Sequence, residues 1–185
     1  MSSKSTEKGA VGAKERLSLC ITAMEQAFDT PERLFECVRN LNQRIQTKQF
    51  STAALTAYNT AITAVKALEQ CRDTRYTQCA SHLLRLLGSL ERVGALPQSI
   101  VASLSIVPAV VTTLQTYPGA VSVQSFGLSL LGMLVSANKK AVNEVVWMER
   151  VLNALSLLTK RNTVYGEHTQ ETFFVLNAVA SIVDT

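Results

Sequence analysis

Cys79 and His82 stand three residues apart in a stretch with helical apolar spacing, and Cys71 lies eight residues before Cys79. On one helix face, a thiolate and an imidazole so spaced could share a metal ion, as in a structural zinc site. Such a site takes four ligands, and no fourth thiol or imidazole lies nearby in a chain with only 2 histidines. The three residues are therefore read as packing side chains, the common use of cysteine in an apolar helix. Glu167, His168 and Glu171 form a second cluster, in which a carboxylate beside an imidazole could move protons. They open a helix, however, where acidic residues ordinarily complement the helix dipole. No glycine-rich phosphate loop, nucleophile elbow or catalytic carboxylate pair occurs, and the 8 glycines stand singly. The expectation is a noncatalytic chain with no cofactor and no metal.

Cys20, Cys37, Cys71 and Cys79 each fall within or at the end of a helical pattern, as reduced thiols do in an intracellular protein. The start, Met1 to Lys8, lacks both the apolar core of a secretory signal and the Arg-rich pattern of an organelle leader. Ser, Thr, Gln and Pro interrupt every apolar run before it reaches the ~18 residues of a membrane span. An intracellular, cytoplasmic protein is expected, with a cytoskeletal or flagellar assembly among the settings that suit it. With 47% hydrophobic and 17% charged residues in 185, the chain can bury the core of one domain. The net charge of +4 is mild and its basic residues are scattered. Lys139, Lys140, Lys160 and Arg161 fall at helix junctions and read as a solvated rim, so nucleic acid is not indicated.

Helices must position all of these residues. After a polar start over 1–13, expected to be flexible, Leu17, Ile21, Met24 and Phe28 recur at helical spacing. Thr30 and Pro31 read as an N-cap and first helical residue of a second helix, striped by Leu34, Val38, Leu41 and Ile45. Ser51 and Thr52 offer a cap for a long helix running to about Cys71. The pattern then predicts helices over 74–92, 97–104, 108–116, 120–136, 139–147, 149–160 and 168–183, with Val93-Gly94 and Tyr117-Pro118-Gly119 as stops.

A shift of 44 residues carries Leu86, Leu87, Gly88 and Leu90 onto Leu130, Leu131, Gly132 and Leu134. The same shift carries Val107, Val111 and Leu114 onto Val151, Leu155 and Leu158. One register serving several stripes is the mark of stacked helical repeats. The single domain, 14–185, thus divides into irregular N-terminal helices (14–72), which do not lock onto this register, and repeats of about 44 residues (73–185).

Over roughly 74–185 the chain resembles the armadillo repeat family, whose unit is a short helix, a second helix and a longer third helix lining a concave face. Ser105 and Glu149 stand where that family places a glycine before its second helix. HEAT repeats, with two helices per unit, are the nearest competitor. The resemblance implies an all-α, right-handed armadillo-like α-solenoid that binds other proteins. In the importin-like branch the third helix presents a Trp and, four residues on, an Asn to clamp an extended peptide. Carried onto this sequence, Arg85, Ser129 and Phe173 take the Trp positions and Ser89, Met133 and Asn177 the Asn positions, and Phe173 with Asn177 comes nearest to a clamp. These six residues are the expected concave, protein-binding wall.

Between Arg92 and Lys139 the chain carries no Asp, Glu, Lys or Arg, a span of about one repeat. Interface cores are depleted of charge in this way. Phe174, Val179 and Ile182 spread around the last helix and are expected to form a C-terminal interface, since an uncovered apolar face needs a neighbour. The function these observations favour is a noncatalytic scaffold or adaptor, a subunit of a larger protein assembly or a homo-oligomer. The alternatives are a nucleic-acid-binding helical repeat protein and an importin-like peptide carrier.

Overall fold

In the computed structural model, which describes residues 4–96 and 106–137 (side chains over 12–96 and 106–134), all regular structure is helical and no strand occurs among the described residues. The helices are α1 (Lys4–Glu25), α2 (Pro31–Gln46), α3 (Thr52–Ala57), α4 (Thr60–Gln70), α5 (Thr77–Arg92), α6 (Ile106–Thr116) and α7 (Val121–Ala137). A 3-10 turn over Thr74–Tyr76 leads into α5. None of them is long and apolar enough to cross a membrane. The expected helices over 97–104 and beyond Asn138 lie outside the described residues.

Local chemistry sets the boundaries. Pro31 opens α2 behind Thr30, whose extended backbone (φ −125°) makes it the N-cap residue. The Thr30 hydroxyl makes no cap hydrogen bond; its carbonyl instead accepts from the Leu34 amide at 2.9 Å. Ser51 caps α3 as expected, its Oγ accepting from the Ala54 amide at 3.2 Å. α5 ends where Gly94 takes φ +69°, a conformation that suits glycine, and the Ala95 amide reaches back to the Leu90 carbonyl at 2.8 Å.

Two sequence expectations differ from the structure. α1 reaches back to Lys4, through the segment read as a polar start, since Glu7, Lys8, Ala10 and Ala13 are good helix formers. The long helix expected from Thr52 to Cys71 is broken in two by Tyr58 and Asn59. Asn59 sits in the left-handed region (φ 51°), which asparagine tolerates better than most side chains. The break turns residues 52–92 into a short, a middle and a long helix.

The helices pack in two rows. α2, α5 and α7 touch in succession, as do α1, α4 and α6, and the rows are joined by α1 on α2, α4 on α5 and α6 on α7. The long helices begin at Pro31, Thr77 and Val121, offsets of 46 and 44 residues. Aligned on those starts, Val38, Leu84 and Leu128 match, as do Leu41, Leu87 and Leu131, and all six are fully buried. α2 thus shares the register of α5 and α7, at an offset two residues longer.

Close approach fixes the spacing within and between rows. A Cβ on Gly127 of α7 would lie 2.6 Å from Leu114 Cδ2 of α6, and one on Gly88 of α5 would lie 3.0 Å from Met133 Cε of α7. The turns before the long helices are stitched together. Tyr76 Oη donates to the Phe28 carbonyl at 3.1 Å, and Tyr117 Oη donates to the Asp73 carbonyl at 2.7 Å. Gln124, buried in α7, donates to the carbonyls of Leu114 and Tyr117, both at 2.9 Å, satisfying the open end of α6.

Leu131→Ala should leave a cavity costing about 2–5 kcal/mol, a large share of a domain's stability, and an unchanged melting temperature would show the stripe to be misassigned. Tyr117→Phe, which removes only the stitch, should cost about 0.5–1.5 kcal/mol by denaturant titration, whereas Tyr58→Phe, whose hydroxyl makes no such bond, should cost less.

Candidate functional site

α5 gives most of its circumference to neighbours. Leu83, Leu84, Leu86, Leu87 and Leu90 are fully buried, and Gln78, His82, Arg85 and Arg92 form the stripe left to solvent, at steps of four, three and seven. Flanked by α2 and α7, this stripe becomes the middle of a three-helix face.

Arg85 is half-buried, and its guanidinium carbon lies 5.9 Å from the ring centre of Phe126 on α7. His82, one turn earlier, meets the Phe35 ring of α2 edge-on at 5.0 Å. Arg39 lies over the other end of Phe35 at 5.8 Å and pairs with Glu36 at 2.9 Å. Arg39, Phe35, His82, Arg85 and Phe126 thus follow one another across the face. A guanidinium over a π-face is worth about 0.5–2 kcal/mol depending on desolvation.

The fold favours the neutral form of His82. Its Nδ1 is enclosed without a hydrogen-bond partner, so the protonated ring would bury an unpaired N–H. Burial, followed by the charges of Arg85 and Arg39, pushes its pKa below the usual 6.5. Beneath it, Asn42 Nδ2 of α2 donates to the His82 carbonyl at 2.9 Å and ties the two helices together.

Of the expected wall, Arg85 and Ser89 lie on α5 and Ser129 and Met133 on α7, two helices that pack together. Ser129 is exposed, Met133 is half-buried with its Cε toward Gly88, and Ser89 is buried. Phe173, Asn177, Phe174, Val179 and Ile182 lie outside the described residues. Sequence reasoning missed Phe35, Arg39 and Phe126, and it weighed His82 only as a metal ligand. A signal for one of them was present: with the 46-residue offset, Arg39 falls on Arg85 as Arg85 falls on Ser129, each being the ninth residue of its helix.

The thiols are engaged elsewhere. Cys71 Sγ donates to the Ala67 carbonyl at 3.3 Å and Cys79 Sγ to the Pro31 carbonyl at 3.0 Å. Burial pushes Cys71 upward and Cys79 to about 11, which keeps both protonated at neutral pH. Among the described residues no three His, Cys, Asp or Glu side chains gather as metal ligands. A groove of about 310 Å³ continues the face toward the start of α2 and α5, bordered by Glu32, Phe35, Glu36, Arg75 and Gln78.

Because His82 is neutral in the fold and protonates near 6.5 when unfolded, its contribution to stability is full above pH 6.5 and is lost as pH falls below that value. The melting temperature should therefore drop more between pH 7.5 and 5 for the parent chain than for His82→Gln; parallel profiles would refute a buried neutral imidazole. No protein-family model, curated protein or solved structure matches this chain.

Proposed function

We propose that this chain is a noncatalytic, protein-binding scaffold or adaptor, an armadillo-like right-handed superhelix serving as a subunit of a larger assembly. The observation that supports this reading best is the equivalence of Arg39, Arg85 and Ser129. Successive long helices carry these residues at the same position, on a shared face that lengthens with each unit. A surface built by repetition suits an extended partner better than a small substrate, which calls for an enclosed pocket. The face is also rich in rings and arginine, the side chains that anchor protein interfaces.

The neighbouring α6 and α7 belong to the uncharged span 93–138, and α7 exposes Val121 and Ser129. In this proposal that surface, together with Phe174, Val179 and Ile182, packs against another subunit or a second copy of the chain. Placing charge there, as Ser129→Lys and separately as Val179→Glu, should leave the chain folded by circular dichroism but reduce its association by light scattering or its native complex by co-purification. If both variants fold and both assemblies are untouched, the scaffold reading loses its support. If the parent chain instead binds RNA or DNA with an affinity falling steeply with salt, the nucleic-acid alternative replaces it.

A further inference from the structure

Among the described residues, Arg85 is a half-buried guanidinium without a counter-charge. It makes no ion pair and no hydrogen bond there, only its contact with the Phe126 ring. Neither α6 nor α7 supplies an acid, since 93–138 contains no Asp or Glu. On its near side, Glu36 is already paired with Arg39. Desolvating a charge without a partner is costly, and guanidinium groups on aromatic faces are well prepared to receive carboxylates in the two-pronged geometry they favour. Arg39, exposed and paired with Glu36, stands on the adjacent helix at the equivalent position, over the Phe35 ring that His82 meets edge-on.

We infer that the α2–α5–α7 face receives an acidic peptide segment of a partner protein, with a carboxylate on Arg85 and a second toward Arg39. This rests on the scaffold reading and gives its partner a chemistry. The carboxylates of Glu32 and Glu36 border the groove beside Phe35, so they turn an acidic chain away from that groove, and the second carboxylate competes with Glu36 for Arg39. Phe126 and Phe35 offer ring faces to apolar side chains that flank the acids.

The test uses the full chain and a fluorescein-labelled peptide of alternating Glu and Leu, read by anisotropy at low salt, beside the same peptide with Gln for Glu. Saturable binding is expected, at least tenfold weaker for the Gln peptide. Arg85→Gln should weaken binding of the Glu peptide tenfold or more, Arg39→Gln severalfold, and Arg85→Lys less than Arg85→Gln. Arg39 is exposed, so Arg39→Gln remains decisive if Arg85→Gln fails to fold. Equal binding of the two peptides, or no loss in Arg39→Gln and Arg85→Lys, overturns the inference. So does tighter binding of a single-stranded oligonucleotide or of phosphatidylserine vesicles than of the Glu peptide. If the Glu peptide fails while Ser129→Lys still disrupts the native assembly, this inference falls and the scaffold reading stands; if both fail, both fall.

Discussion

The burial of α5 governs the rest of the molecule. A helix that touches α2, α4 and α7 at once has little circumference left for solvent. Its sequence meets that demand with five fully buried leucines and with Gly88, whose missing side chain makes room for Met133. The placement of His82 and Arg85 on one stripe of α5 then follows from helical geometry. Their low hydration has the same origin. A basic side chain on an isolated surface helix would stand free in water, but here the flanking helices raise walls on either side. The depressed basicity of His82 and the unpaired guanidinium of Arg85 are thus products of packing rather than of any special local motif.

Much of the helical architecture was readable from residue spacing, because amphipathic stripes, Pro31, Ser51 and Gly94 act locally. The register of α2 was not, since a single shift of 44 residues fails where the first offset is two residues longer. Asn59 hid for a related reason: the apolar spacing of Leu55, Tyr58 and Ile62 runs through it, and only a left-handed backbone reveals the break. Of the candidate face, Arg85 and Ser129 were singled out by spacing because the shift joins them. Phe35 and His82 were not joined, because an edge-on ring contact between helices 47 residues apart leaves no periodic trace.

The buried polar groups show a division of labour. Gln124 and the two tyrosines satisfy carbonyls that helix ends and turns would leave open, and they do so across elements, where no cap within a single helix could reach. Cys71 and Cys79 spend their weak donors in the same way, on the Ala67 and Pro31 carbonyls. The polar interior serves continuity from one helix to the next, and the chemistry that faces outward is left to the cation and ring stripe.

The tyrosine stitches also give the helix rows a tether at one end. Tyr76 and Tyr117 fasten three consecutive turns there, each by a hydroxyl held to backbone rather than to a movable side chain. At the other end Thr52 holds the first pair of long helices in the same manner, its hydroxyl donating to the Val93 carbonyl at 3.0 Å. A force that pulls the long helices apart must therefore break a hydroxyl-to-backbone bond at each step along the tyrosine end, so that end keeps its length while side chains elsewhere rearrange.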